Sequence, residues 1–130
     1  MSKLKVALNY SRRIWEKQDL SAIDERVDPQ CIIHSLMGKF YGPKAMRNVV
    51  EAWLQGFPDL HVTVIATDLE DNCVTLHWNA AGTHLGAFKG VAATGKPISY
   101  SGASTYRIEN GKIVEYWGSI DMSKLMAQIT

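Results

Sequence analysis

Apolar and polar residues alternate with two different periods along this chain, and the change falls near residue 60. Before that point the spacing is helical. Leu4, Ala7, Leu8, Ser11, Ile14 and Trp15 share one face at a 3.6-residue period, with Ser2 placed to cap the helix. Leu20, Ile23 and Val27 predict a short second helix, capped by Asp19 and ended by Pro29. "CIIHSLMG", residues 31–38, reads as a short strand. In "YGPKAMRNVVEAWLQGF", Pro43 suits the first helical position after Gly42, and Met46, Val49, Val50, Trp53 and Phe57 form the buried stripe.

From residue 60 onward the period is two. Strands are predicted over 60–71, 73–84, 98–109 and 112–120, and "MSKLMAQI", 122–129, closes the chain as an amphipathic helix. Helices segregated from a run of strands predict one α+β domain over 1–130. A curved antiparallel sheet wrapped around the long third helix would leave a concave cavity, the usual place for a ligand.

"ENGK" places Asn110-Gly111 as a two-residue type I′ turn. Continuous pairing from that turn sets Tyr100 opposite Asp121, Ser104 opposite Trp117 and Tyr106 opposite Glu115. One face then carries Ile98, Tyr100, Tyr106, Ile108, Ile113, Trp117 and Asp121, and its aromatic content marks it as the pocket side. The outer face would carry Ser99, Ala103, Thr105, Tyr116 and Ile120, the expected contact region of a dimer. A bulge would shift this register.

Charge and cysteine content narrow the function classes. The formal net charge is +1, with acids and bases interspersed, so neither nucleic acid nor an anionic membrane is an expected partner. Cys31 and Cys73 form no CxxC pair and read as reduced thiols of a cytoplasmic protein. The charged N-terminal stretch is neither a signal peptide nor a membrane span. His34, His61, His77 and His84 lack metal-ligand spacing, and no metal is expected. "GVAATGKP", 90–97, approaches a phosphate-binding loop. Pro97 stands where a hydroxyl residue is required, and a strand follows where a helix should.

The candidate chemistry is acid–base. His34 is either a buried, hydrogen-bonded imidazole or a proton shuttle and donor to a carbonyl. Asp121 directly precedes the terminal helix, so it is an N-cap, or else a general base whose pKa an apolar site would raise. Ser123 is an alternative cap that would free it. Tyr100 and Trp117 are candidate substrate contacts, as are Trp53 and Trp15 of the helical stripes, although residues of these types at these spacings are more often core.

"FPDLHVTV", "GTHLGAFKGVAATGKPI" and "YRIENGKIVEYWGSIDMSKLMAQI" resemble the SnoaL-like polyketide cyclases, often called ester cyclases. These belong to the nuclear transport factor 2-like group of cone-shaped α+β barrels, which includes ketosteroid isomerases. The resemblance covers nearly the whole chain. It implies a curved sheet, a pocket between sheet and helices, a homodimer, and aldol ring closure with no cofactor. The family's last-strand aspartate matches Asp121, and an early-strand pocket histidine matches His34. The expected function is acid/base catalysis on a small apolar carbonyl compound. The alternatives are a binding or dimerisation module of the same fold, and epoxide hydrolysis.

Overall fold

The predicted helices and strands form, with two differences in the first half. Val27, expected on the second helix, begins the first strand, and Gly38–Tyr41 is a further strand paired with it. The structure, a computed structural model, describes residues 2–35 and 38–130. Leu36, expected to share a face with Ile32 and His34, lies outside the described residues. In chain order the elements are α1 (Lys3–Trp15), α2 (Ser21–Arg26), β1 (Val27–Ser35), β2 (Gly38–Tyr41), α3 (Gly42–Gly56), β3 (His61–Glu70), β4 (Cys73–Thr83), β5 (Pro97–Glu109), β6 (Lys112–Ile120) and α4 (Met122–Ile129).

Ser2 caps α1 as predicted, accepting from the Lys5 N–H at 3.1 Å. The buried stripe of α1 is Val6, Ala7, Tyr10, Ser11 and Ile14, with Leu4, Leu8 and Trp15 packed at its margin. Asp19 acts one residue before the cap position of α2. It accepts from the Ser21 N–H at 3.2 Å and pairs with the Arg13 Nε at 3.0 Å.

Pro29 does not end α2. The helix already stops at Arg26, and Pro29 lies exposed within β1. Lacking an N–H, it cannot donate to a ladder, and the pairing of β1 with β6 is irregular between Val27 and Ile32.

One six-stranded sheet forms, in the order β2-β1-β6-β5-β4-β3. Pairing is antiparallel throughout except where β1 runs parallel beside β6. The sheet curves but does not close, and β2 and β3 are its edges. The buried residues of α1 and α3 pack with Val74, Leu76, Tyr106, Ile108 and Ile113 from the concave face. A second cluster joins Phe57, Leu60, Val62, Phe88 and Tyr100 to Leu125 and Ile129 of α4. The "GVAATGKP" stretch belongs to the connection between β4 and β5. There Thr94 folds back on the buried His84, whose Nδ1 accepts from the Thr94 N–H at 3.2 Å.

The β5–β6 turn is as predicted, with positive φ at Asn110 (52°) and Gly111 (73°). Glu109 pairs with Lys112 and Ile108 with Ile113. The register then shifts between Arg107 and Ile108, because Val114 is an extra residue on β6. Arg107 therefore faces Glu115, Tyr106 faces Tyr116, and Thr105 faces Trp117. Since side chains alternate with a period of two, this single insertion turns every later β6 side chain to the face opposite the one predicted. Tyr116 and Ile120 turn inward, and Trp117 turns outward.

Candidate functional site

The site is built from alternate strand residues and one stripe of each long helix. β5 directs Ile98, Tyr100, Ser104 and Tyr106 inward, and the bulged β6 sends Tyr116, Gly118 and Ile120 to the same side. Trp78 and Val62 reach in from β4 and β3. Trp15 at the end of α1, with Val49 and Trp53 of α3, closes the other side. Between them lies a cavity of about 60 Å³. That is small beside the roughly 300–1,000 Å³ of most ligand pockets, so the occupant must be small or the walls must part.

The wall is aromatic and uncharged. Trp53 stacks on Tyr100 (centroids 5.6 Å, planes 28° apart), and Trp78 meets Tyr100 edge-on at 5.6 Å and 84°. Gly102 makes room for this arrangement. A Cβ there would stand 2.8 Å from the Trp78 ring and 2.4 Å from Ile120. The polar groups are neutral hydroxyls and one indole. The Trp78 Nε1 donates to Ser104 Oγ at 3.0 Å. Burial, with a smaller contribution from Tyr116, pushes the Tyr100 hydroxyl well above the usual tyrosine range. Tyr100 thus stays a proton donor at any physiological pH.

Of the residues predicted from sequence, Trp15, Trp53 and Tyr100 line this cavity. Trp117, His34 and Asp121 do not. In β1, Cys31 and Ile33 enter the core and Ser35 reaches the cavity, which leaves Ile32 and His34 on the outer face. His34 stacks on Trp117, and its Nε2 lies 2.7 Å from Glu115 Oε2. Arg107 donates to the other Glu115 oxygen at 3.2 and 3.1 Å. The Glu115 carboxyl is held below its usual range, first by the His34 bond, against burial and with further help from Arg107.

Asp121 is the N-cap of α4. Its Oδ1 accepts from the Lys124 N–H at 3.1 Å, and the residue is exposed. It follows directly on Ser119 and Ile120, which belong to the cavity wall.

Sequence reasoning missed Trp78, Tyr116, Ser104 and Ser35. Trp78 was within reach of the alternation of β4. Tyr116 was hidden by the bulge, and Ser35 by the expectation that its neighbour His34 is the pocket residue of this strand. Among the described residues no group of three or more His, Cys, Asp and Glu could hold a metal. Burial pushes the Cys31 thiol up to about 12, which makes it unreactive. No helix among the described residues is long and apolar enough to cross a membrane.

The sequence matches the family model described as SnoaL-like polyketide cyclase over residues 5–129. AclR of Streptomyces galilaeus, described as a candidate hydroxylase, is 29% identical with a TM-score of 0.85, over 98% of this chain and 80% of its own. IdmH of Streptomyces antibioticus, a candidate polyketide cyclase, is 25% identical at a TM-score of 0.76, over 92% and 95%. A SnoaL-like protein of Jannaschia shares the fold at a TM-score of 0.86 with 17% identity, over 96% and 92%. No protein of curated function matches the sequence.

Proposed function

The chain belongs to the SnoaL-like polyketide cyclases, and from that premise we propose that it is a cofactor-free cyclase or isomerase-type enzyme acting on a small apolar carbonyl compound. The observation that carries this reading is the uncharged aromatic cavity whose β6 wall runs straight into a carboxylate, Asp121. An apolar substrate held against Trp53, Trp78 and Tyr100 would present its reacting carbon at the β6 end. One Asp121 oxygen serves the cap, and the other takes the proton α to the carbonyl. The electrons of that C–H bond move to the carbonyl oxygen as an enolate. The enolate carbon then forms a bond to a second carbonyl of the same molecule, and the proton returns to the new alkoxide.

The enolate needs a hydrogen-bond donor fixed in advance in a dry site. His34 was the sequence candidate, but it faces outward. Tyr100, inside the cavity and protonated, fits the role better. An aspartate base with an oxyanion hole that includes a tyrosine hydroxyl carries out proton transfer α to a carbonyl in ketosteroid isomerase. Epoxide hydrolysis has less support, because it needs several polar groups to activate a water, and the wall offers only neutral hydroxyls and an indole N–H.

A second reading, ligand binding without turnover, draws on a specific observation. No carboxylate or imidazole is among the cavity-lining residues, and Asp121 already has a structural task. Deuterium exchange into a bound ketone separates the two. Asp121→Asn keeps the cap but removes the proton acceptor, so exchange should fall by about 10² or more. Exchange undiminished in the variant would leave Asp121 a cap, and a wild-type protein with no exchange above the solution rate would be a binder.

A further inference from the structure

Behind the cavity lies a smaller chamber of about 30 Å³, sharing Trp15, Val49, Trp53 and Tyr116 with it as common walls. Its remaining lining is Ile14, Met46 and Val50, with Tyr10 and Tyr106. Tyr10 is only 2% exposed, and its buried hydroxyl has no hydrogen-bond partner among the described residues. Its ring meets Tyr106 edge-on (5.8 Å, 73°), a contact that leaves the hydroxyl unengaged.

An unpaired buried hydroxyl costs about 1–3 kcal/mol. Packing against Phe in its place would avoid that cost, so the group calls for an occupant. Water is a poor one. The chamber exceeds the roughly 10–15 Å³ that one water needs, but a buried water is held by about three polar partners. Here the lining is apolar and aromatic, and among the described residues the Tyr10 hydroxyl is the buried oxygen of the lining left without a partner. An oxygen attached to an apolar body needs only one partner. Charged groups are excluded, since the chamber offers no counter-ion and burying an isolated charge is costly.

We propose that this inner chamber is a subsite for a single neutral oxygen, a carbonyl or hydroxyl, at the leading end of an apolar ligand, with Tyr10 as its hydrogen-bond partner. Burial, reinforced by Tyr106, Tyr116 and Cys31, keeps Tyr10 protonated and able to donate. The subsite deepens the proposed carbonyl-compound activity and rests on the cavity described for it. It adds that the substrate carries a second oxygen function remote from the carbon that reacts near Asp121.

Equilibrium binding tests this apart from catalysis. Acetophenone and α-methylstyrene have the same shape and differ by an oxygen for a methylene, and quenching of tryptophan fluorescence reads their dissociation constants. The wild-type chain should bind acetophenone roughly three- to tenfold more tightly, the usual worth of one neutral hydrogen bond. Tyr10→Phe should erase that preference while leaving α-methylstyrene affinity and the melting temperature unchanged or higher. Val50→Leu, which fills the chamber from another wall, should erase it too. A preference that survives Tyr10→Phe, or equal or absent binding of both probes by the wild type, overturns the subsite. The dependence of exchange on Asp121 is read separately and stands or falls by itself.

Discussion

His34 and Trp117 lie face to face, 5.2 Å between ring centroids and 8° between planes, on the side of the sheet turned away from the cavity. Two residues that the sequence offered as acid–base group and pocket wall thus hold each other on the outside. His34→Ala should leave deuterium exchange into a bound ketone unchanged. It should lower stability by about 1 kcal/mol, the worth of one aromatic pair. Calorimetry would show that as a drop of about 3–5 °C in Tm. Exchange that collapsed with an unchanged Tm would return His34 to the mechanism.

Acid should destabilise the fold through three carboxylates. Glu115 is held low by the His34 bond, Asp59 by the Thr83 hydroxyl and N–H, and Asp19 by Ser21 and then Arg13. A carboxyl lowered on folding contributes stability that is fully present above its unfolded pKa and is lost as pH falls through the folded value. Denaturation midpoints should therefore be flat near neutrality and fall below the ordinary carboxylate range, about pH 4. Glu115→Gln should make that fall shallower. An unchanged slope would show that the bonds of Glu115 are not formed in solution.

Capping at Asp121 can be weighed without any substrate. Asn caps a helix as well as Asp does, and Ala does not, so Asp121→Ala should cost about 0.5–2 kcal/mol and Asp121→Asn almost nothing. Urea denaturation gives both numbers. Equal losses would mean that the Lys124 bond contributes little.

Gly102 tests the packing of the cavity wall. A methyl group at this position meets Ile120, the Ser119 carbonyl and the Trp78 ring at 2.4, 2.5 and 2.8 Å. Gly102→Ala should cost about 1–3 kcal/mol, as overpacking does, and should weaken ligand binding by displacing Trp78. Tight binding retained in the variant would show that the indole has room to move.

A homodimer is expected through the outer sheet face. The bulge changes the residues concerned. Tyr116 and Ile120, first assigned to that contact, point inward, and Trp117 takes their place beside Ser99, Ala103 and Thr105. Light scattering should return twice the chain mass, and Trp117→Glu should return the monomer. A wild-type monomer at micromolar concentration would count against the interface.

The sequence by itself determined the elements and most of their ends, because these depend on local physics. The change from a 3.6 to a 2.0 period, Ser2 and Asp121 as caps, Pro43 in the first turn and Asn110-Gly111 as a turn all act over a few residues. Trp15, Trp53 and Tyr100 were legible as cavity residues for the same reason. Which face each strand presents was decided by tertiary structure. Val114 has no local mark of a bulge, yet it is the residue left over when Arg107 pairs with Glu115 and Tyr106 with Tyr116. The parallel contact of β1 with β6 joins segments far apart in the chain, and it sets His34 against Trp117. In a structure of period two, one extra residue exchanges inside for outside, and only the packing of the whole core selects where that residue goes.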